Sequence, residues 1–435
     1  MDNKRKNAAP SAESTLARNI WFNNANGVAF TLSFNLFNPF LGIFALKLGA
    51  PDSYIALLSS LPALTSVLSM VPGARFIDRF ERKKGVTAWI LGVSRFFYLL
   101  LALVPFLAPH HAALALVLLV GIMNIPASIA GVAWQSFIAG VIPPTQRNQV
   151  FAQRNLIMSA AGLIPLISAG PLIDWLGAPR GYQAALGLAA IIAVAEVALF
   201  LGIRETPPAS LIVPADGQPV REALSPTALR LRLLGTLQRY PIYWRFCTAA
   251  FFFHIAWMMS WPLFTIYNVN VLGANNTWIA AINILNTLAA IATFRFWGRL
   301  ADRIGTLPAM ALSGLGLAGF PLLVAMTHSL LVVTVFNAYV GAFGGAVGFL
   351  LLNALLEVVP EQNRTGYIAV YNTMINVAAT IAPLIGVGLL GFMSINASFV
   401  LSGVLRAFGA LAFWLVYRWA RSHQQSLPGG ASLTA

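Results

Sequence analysis

Long runs of apolar residues alternate with short polar segments along the whole chain. A helix needs about 20 mainly apolar residues to cross the hydrocarbon core of a bilayer. Runs of this length predict twelve membrane spans in two sets of six, at 20–44, 54–74, 86–107, 112–140, 150–174 and 183–203, and then at 243–270, 276–298, 307–327, 329–356, 366–392 and 396–418. The pattern therefore predicts an all-α membrane protein with twelve transmembrane helices.

The polar segments divide the chain into five parts. The stretch between the two sets is rich in proline and charge, as linkers are, and its segment Thr227–Gln238 has the Leu and Arg pattern of an amphipathic surface helix. The apolar run after Arg18 is too long and too polar for a cleavable signal, so we expect it to be the first span. The predicted parts are a cytoplasmic N-terminal tail at 1–19, a six-helix bundle at 20–203, a cytoplasmic linker at 204–242, a second six-helix bundle at 243–418 and a cytoplasmic C-terminal tail at 419–435.

The composition indicates that lipid surrounds most of the molecule. Of the 435 residues, 58% are hydrophobic and only 9% are charged, whereas a soluble domain carries about 25% charged residues. The 27 Lys and Arg outnumber the 13 Asp and Glu, but they lie in short loops between apolar runs, which argues against nucleic acid as a partner. All of them except Lys47, Arg180, Arg95 and Arg406 fall on one side of the predicted membrane. The positive-inside rule therefore predicts a multi-pass protein of the cytoplasmic (inner) membrane with both termini in the cytoplasm.

The two sets of spans share an internal repeat. Four residues that follow span four recur after span ten at one constant offset, Pro143, Arg147, Ala152 and Asn155 matching Pro360, Arg364, Ala369 and Asn372. Three residues after span two recur in the same way after span eight, Arg75, Asp78 and Arg79 matching Arg299, Asp302 and Arg303. Matches at equivalent topological positions predict duplication, and hence two pseudo-symmetric six-helix bundles.

The loop after span eight carries a family resemblance. Its residues resemble the loop signature of the major facilitator superfamily: Gly298, Leu300, Ala301, Asp302, Arg303 and Gly305. The first-half copy departs from the signature, since Ala74 and Glu81 stand where the family has Gly. The resemblance implies two bundles around a central cavity, and a gating latch between helix ends formed by Arg75, Asp78, Arg79, Arg299, Asp302 and Arg303. The alternative is that these are ordinary solvated loop charges.

Three charged side chains fall inside predicted spans, where charge is costly and usually functional. Arg95 and Glu196 lie about 12–14 Å from the same membrane face at 1.5 Å per residue, so we expect them to pair. The resemblance implies that spans three and six lie away from the cavity, which favours a structural role for the pair over a proton relay. Arg406 has no acidic partner at its level, and either backbone carbonyls or an anionic substrate are candidate partners, with a structural role favoured.

The resemblance implies that spans one, four, seven and ten line the central cavity, with spans five, eight and eleven contributing, and neutral polar and aromatic side chains of these spans are the candidates for a substrate site. Amides and rings suit a neutral or amphipathic organic solute, although aromatic residues are also common on lipid-facing surfaces. His254 in span seven is either a proton carrier or a neutral residue bonded to a neighbouring helix. The candidate cavity residues are Asn35, Asn38, Gln135, His254, Trp257, Trp261, Asn283, Asn286, Asn337, Tyr371, Asn372 and Asn376.

These patterns predict a secondary transporter that moves a small organic solute by alternating access, with efflux of amphipathic compounds as one form. An uptake permease for a neutral metabolite such as a sugar, a non-transporting receptor and a lipid-handling protein are the alternatives. The sequence lacks the motifs of metalloproteases, P-loop enzymes and serine hydrolases, so we expect no enzyme activity, cofactor or metal. The expected partners are the solute and the bilayer, with protons as a candidate coupling ion, and we expect a monomer.

Overall fold

The computed structural model describes residues 12–80, 83–205, 239–360 and 364–423. These residues form helices and turns, and no strand occurs within the described ranges. The helices are α1 (Ala12–Asn35), α2 (Leu41–Lys47), α3 (Asp52–Ile77), α4 (Lys83–Leu107), α5 (Ala112–Val141), α6 (Pro144–Ala161), α7 (Leu163–Leu176), α8 (Arg180–Gly202), α9 (Pro241–Met258), α10 (Trp261–Ile266), α11 (Asn276–Ile304), α12 (Thr306–Ala325), α13 (Leu330–Val358), α14 (Arg364–Gly388) and α15 (Ile395–Ser422). The proposed amphipathic helix at Thr227–Gln238 lies outside the described residues.

Twelve segments of these helices are long and apolar enough to cross a membrane, which confirms the predicted spans and the all-α fold class. Three of the twelve spans consist of two consecutive helices: the first is α1 with α2, the fifth is α6 with α7, and the seventh is α9 with α10. Pro39 lies at the first break and Pro262 follows the break in span seven. Proline removes a backbone N–H donor and clashes with the preceding turn, so it favours such breaks.

The described residues group into two compact units, which do not coincide fully with the two sets of spans. Unit 1 comprises the described residues within Met1–Leu48 and Leu68–Leu211, and unit 2 those within Gly49–Val67 and Ile212–Ala435. Helix α3 is therefore divided between the units at Val67, whereas the predicted N-terminal bundle contained it whole. The predicted domain boundaries stay a prediction.

Unit 1 is held together by asparagines of α1 that reach backbone groups of neighbouring helices. Asn19 exchanges two hydrogen bonds with the backbone of Arg204, of 3.0 and 2.8 Å, directly after α8. Asn26 donates to the Glu196 carbonyl at 3.0 Å, and Asn35 donates to the Gly162 carbonyl, between α6 and α7, at 3.1 Å. Because lipid offers no hydrogen-bonding groups, such bonds from side chains to backbone favour one register between helices.

Unit 2 packs α9, α12, α13, α14 and α15 around a core of aromatic and small side chains. Phe246, Phe253 and Phe413 are fully buried. The Phe413 ring contacts the other two, with centroids 5.7 Å from Phe246 and 5.8 Å from Phe253. Close approach of the backbones depends on glycine. A Cβ atom at Gly386 of α14 would overlap the carbonyl of Met259, at the break between α9 and α10.

Candidate functional site

A cavity of about 410 Å³ lies inside unit 1, between α1, α4, α5, α6 and α8. Its volume is within the range of small-molecule sites, which is about 300–1,000 Å³. Aromatic rings form much of its wall, and polar and charged groups converge on it. The side chains that decide its chemistry are Phe30, Phe34, Arg95, Tyr98, Asn124, Trp134, Arg154 and Glu196.

An ion pair crosses the cavity from α4 to α8. Arg95 Nε lies 2.8 Å from Glu196 Oε2, and Arg95 Nη2 lies 2.9 Å from Glu196 Oε1, so the pair is bidentate. The guanidinium also lies over the rings of Phe30 and Tyr98, at 5.2 and 5.4 Å from their centroids. A bidentate Arg–carboxylate pair fixes geometry as well as charge. The contact predicted from matched depth and opposite sign is present.

Both residues of this pair line the cavity of unit 1. The resemblance implied that spans three and six lie away from the central cavity between the bundles, and that expectation stays a prediction. Glu196 is only 2% exposed, so it is shielded by Arg95 and by the cavity walls. The pair is thus placed where an occupant of the cavity can touch it, and the choice between a structural and a proton-relay role stays open.

Arg154 on α6 brings a second positive charge to the cavity. Its Nε donates to the carbonyl of Asn23 at 3.2 Å, and its guanidinium lies over the Trp134 ring, 4.4 Å from the centroid. The two ion pairs among the described residues involve Lys83 and Arg95, and no described carboxylate lies within 4.0 Å of the Arg154 guanidinium. With Arg95 neutralised by Glu196, the cavity lining carries a net charge of one positive unit.

Sequence reasoning missed Arg154 because it was counted among the residues at the cytoplasmic end of span five. In the structure α6 begins at Pro144, so Arg154 is about 15 Å along the helix at 1.5 Å per residue. The Pro143–Pro144 pair was the signal that could have found it, since proline is favoured at the first position of a helix.

Asp78, one of the predicted latch residues of the first half, lies in a small polar cluster. Asp78, after α3, pairs with Lys83 at 2.9 Å, and Lys83 Nζ also donates to Ser136 Oγ at 3.1 Å on α5. The backbone N–H of Lys83 donates to Glu205 Oε1 at 3.2 Å. Helix ends of α3, α4 and α5 and the segment after α8 are therefore linked through Lys83.

The second copy of the latch is arranged differently. Arg299, Asp302 and Arg303 lie in the last turns of α11, and none of them takes part in an ion pair with another described residue. Gly305 then turns the chain at a φ of +91°, and Thr306 bonds the Glu357 carboxylate at the end of α13. Arg75 and Arg79 flank Asp78 in the first copy. The gating role of all six residues stays a prediction.

The twelve candidate cavity residues lie outside the unit 1 cavity. Asn35 bonds the Gly162 carbonyl, Asn38 begins an exposed turn, and Gln135 is exposed on α5. In unit 2, asparagine amides mostly bond the carbonyl one turn earlier in their own helix: Asn283 to Ile279, Asn337 to Val333 and Asn376 to Asn372. Tyr371 is 7% exposed and packs in the aromatic core. The remaining candidates are Trp257, Trp261, Asn286 and Asn372, of which Trp261 and Asn372 are exposed.

His254 is buried on α9, and its Nδ1 lies 2.7 Å from the carbonyl of Ala250. This contact resembles the neutral, hydrogen-bonded alternative, although the partner carbonyl belongs to the same helix rather than to a neighbour. The carbonyl satisfies one ring nitrogen when that nitrogen carries the proton. A substrate-binding role for His254 and for the other candidates in unit 2 stays a prediction.

Arg406 bonds backbone carbonyls, which is one of the two partners expected for it. It is 1% exposed and donates to Ala256 at 3.3 Å, Trp257 at 3.1 Å and Leu317 at 3.3 Å, besides the Ser260 hydroxyl. Ala256 and Trp257 lie in the last turn of α9, before the break in span seven, and the Leu317 carbonyl faces Pro321, which has no N–H to donate. Arg406 therefore pairs carbonyls that the helices leave free.

Comparison with known proteins gives a consistent set of similarities. The sequence profile described as Major Facilitator Superfamily matches residues 25–295 and 246–434. Over 161 residues the chain is 28% identical to Multidrug resistance protein MdtG of Dickeya zeae (strain Ech586), a match that covers 36% of the chain and spans 39% of that relative's length.

Solved structures share the fold over nearly the whole chain. An auto-inhibited POT family peptide transporter superposes with a TM-score of 0.65 at 16% identity, covering 92% of this chain and 97% of its own. The nucleoside transporter NupG superposes with a TM-score of 0.63 at 12% identity, covering 91% of this chain and 99% of its own. At such identities the likeness establishes the fold and leaves the substrate undetermined.

Proposed function

Since the chain belongs to the Major Facilitator Superfamily and is a secondary transporter rather than an enzyme, we propose that it exports small amphipathic organic compounds. The family expected from the loop signature is confirmed, and the protein is a multi-pass membrane protein. The observation that carries the proposal is the unit 1 cavity, in which aromatic rings stand beside an ion pair and an additional arginine. The similarity to a multidrug resistance protein supports efflux over uptake.

The walls of the cavity suit a solute with an apolar ring or chain and a polar acceptor. Phe30 and Phe34 stack on each other with centroids 5.5 Å apart, and they offer a flat apolar surface. Arg154 offers donors, because its guanidinium has no carboxylate partner among the described residues. An acceptor on the solute gains binding free energy there through a charge-assisted hydrogen bond.

The mechanism that we propose is alternating access, in which duplicated bundles expose a midplane site to one side of the membrane and then to the other. The Asp78–Lys83 cluster belongs in this scheme as a contact made in one state and broken in another. Glu196 is the one carboxylate among the described residues that line the cavity, so protons are the coupling ion that we propose. We further propose a monomer in the cytoplasmic membrane with both termini in the cytoplasm.

Binding to the purified protein tests the substrate class. A ligand of the native state raises thermal stability by RT ln(1 + [L]/Kd), so amphipathic aromatic compounds should raise the unfolding temperature and sugars should not. Phe34→Ala should reduce the shift, whereas Phe106→Ala, on α4 but 71% exposed, is the matched control that should keep it. Shifts with sugars or nucleosides alone would favour the uptake permease. No shift with any solute would favour a receptor or a lipid-handling protein.

Transport in membrane vesicles tests direction and coupling. Everted vesicles should accumulate a compound identified by the binding screen, and right-side-out vesicles should not. An uncoupler that collapses the proton gradient should abolish the accumulation. Accumulation only in right-side-out vesicles would overturn export, and accumulation that survives the uncoupler would overturn proton coupling. Reporter fusions at both termini should report the cytoplasm.

A further inference from the structure

A second and larger space lies on the surface of unit 2, in a groove between α9 and α15 of about 960 Å³. Its walls are almost entirely apolar, and several of its side chains are open to the surroundings of the molecule: Phe252 is 62% exposed, Phe408 is 64% exposed and Leu415 is 55% exposed. Both helices are membrane spans. The groove therefore opens to the bilayer, and lipid chains are what this surface meets.

The groove is longer than one leaflet is thick. From Pro241 to Ala256, the two ends of its lining on α9, the helix rises about 22 Å. The hydrocarbon core of a bilayer is about 30 Å thick, so one leaflet contributes about 15 Å. Gly409 allows α15 to approach α9 closely, since a Cβ atom there would lie 2.9 Å from Phe253 Cα. An acyl chain that enters at the Arg245 end can therefore lie along the groove.

A guanidinium without a carboxylate partner stands at one end of the groove. The Arg245 side chain is exposed on α9, and its guanidinium lies 3.8 Å from the centroid of the Trp419 ring. No carboxylate of the described residues lies within 4.0 Å of it. A phosphodiester can pair with this group, because arginine binds phosphate oxygens through charge-assisted hydrogen bonds.

The charge around the groove favours an anionic headgroup. Neither α9 nor α15 contains an acidic residue, whereas Arg418 and Arg421 flank Trp419 at the same end. Two neighbouring segments of the chain do not offer a matching anion. The segment 227–238, which precedes α9 in sequence, carries two arginines and no acid, and residues 424–435 carry no charged side chain. Like charges would repel the first of these segments, and the second has nothing to pair with Arg245.

We propose that the groove between α9 and α15 binds one phospholipid with an anionic headgroup, whose phosphodiester is held by Arg245 and whose acyl chain lies along Thr248, Phe252, Phe408 and Leu415. This site is separate from the unit 1 cavity and does not depend on the transport substrate. A bound lipid at this position ties the beginning of α9 to the end of α15, so the anionic lipid content of the membrane sets the stability of this helix pair.

Native mass spectrometry of the full-length, delipidated protein tests the proposal by titration with dioleoyl phosphatidylglycerol or dioleoyl phosphatidylcholine. The wild type should bind one phosphatidylglycerol more tightly than the others, and at least tenfold more tightly than phosphatidylcholine. Arg245→Gln should weaken that first binding step about tenfold or more, the change expected for one charge-assisted hydrogen bond.

The matched control is Lys84→Gln, which removes one positive charge from α4, outside the groove. It should bind phosphatidylglycerol as the wild type does. Equal binding by Arg245→Gln and wild type, or equal weakening by Lys84→Gln, would overturn the site. A dimer that excludes lipid and is lost in Phe408→Ala would also overturn it, because a second copy would then occupy the groove. If Arg245→Gln fails to fold, equal binding of phosphatidylglycerol and phosphatidylcholine by the wild type refutes the proposal.

Discussion

Replacing Arg406 by methionine tests whether a buried cation in this fold is retained for the carbonyls it satisfies. Two opposing effects are involved. Methionine removes a charge that has no carboxylate partner among the described residues, which relieves a desolvation cost. It also removes three hydrogen bonds to carbonyls, and these carbonyls cannot turn to water.

The structure indicates which effect dominates. Ala256 keeps a bond from Ser402 at 2.8 Å, and Trp257 keeps one from Ser260 at 3.2 Å. The Leu317 carbonyl has Pro321 at the position where a helix normally supplies its donor, so it loses its partner. Hydrogen bonds in membranes contribute roughly 0.6 kcal/mol on average and up to about 1.7 kcal/mol, while an unsatisfied buried acceptor costs about 1–3 kcal/mol. We therefore expect Arg406→Met to lower the free energy of unfolding by about 2–4 kcal/mol.

Unfolding of the purified protein in detergent, followed by tryptophan fluorescence, measures this loss. Arg180→Met, at an exposed site on α8, is the control for removing an arginine. Pro321→Ala restores an N–H opposite the Leu317 carbonyl, so the double variant Arg406→Met with Pro321→Ala should recover about 1 kcal/mol relative to additivity. An Arg406→Met protein as stable as the wild type would refute the reasoning, since relief of desolvation would then outweigh the carbonyl bonds.

Three further predictions concern the ion pair, the latch and helix packing. Glu196→Gln leaves Arg95 with an uncompensated charge, so we expect the free energy of unfolding to fall by about 3–5 kcal/mol. The ranking of bound solutes in a thermal-shift panel should stay the same. Unchanged stability together with lost proton coupling would instead support the proton relay. Asp302→Asn should change the rate of solute exchange in vesicles more than the equilibrium affinity, and a fall in affinity at an unchanged rate would contradict the latch. Gly386→Ala should destabilise the protein because its Cβ would overlap the Met259 carbonyl, whereas Gly388→Ala, with no atom within 4 Å of its Cβ, should be neutral in the same unfolding assay.

The fold was accessible from the sequence because lipid imposes a simple rule. Every span must be long, apolar and internally hydrogen bonded, so twelve apolar runs predict twelve spans. The Arg95–Glu196 contact was accessible for a similar reason, since two opposite charges at one depth in hydrocarbon have few other partners. The helix breaks inside spans one, five and seven were less accessible, because proline also occurs within unbroken helices here, as Pro126 does in α5.

The candidate site was less accessible from the sequence. The asparagines chosen as cavity residues were selected for polarity and span number, but an amide side chain in a helix can bond the carbonyl one turn back, as Asn283 and Asn337 do. The residues that do line the unit 1 cavity include Arg154, whose depth depended on where α6 begins. Small errors in the position of a helix end change the inferred depth of a charge by a full turn.

The asparagine bonds of α1 have a consequence for how unit 1 moves. Asn19 and Asn26 tie α1 to backbone groups in and directly after α8 at two points along its length. Any sliding or rotation of one helix against the other must break both attachments in a medium that offers no replacement. Spin labels placed on α1 and α8 should therefore report the same narrow distribution of distances with and without a bound solute, because the two helices move as one rigid body.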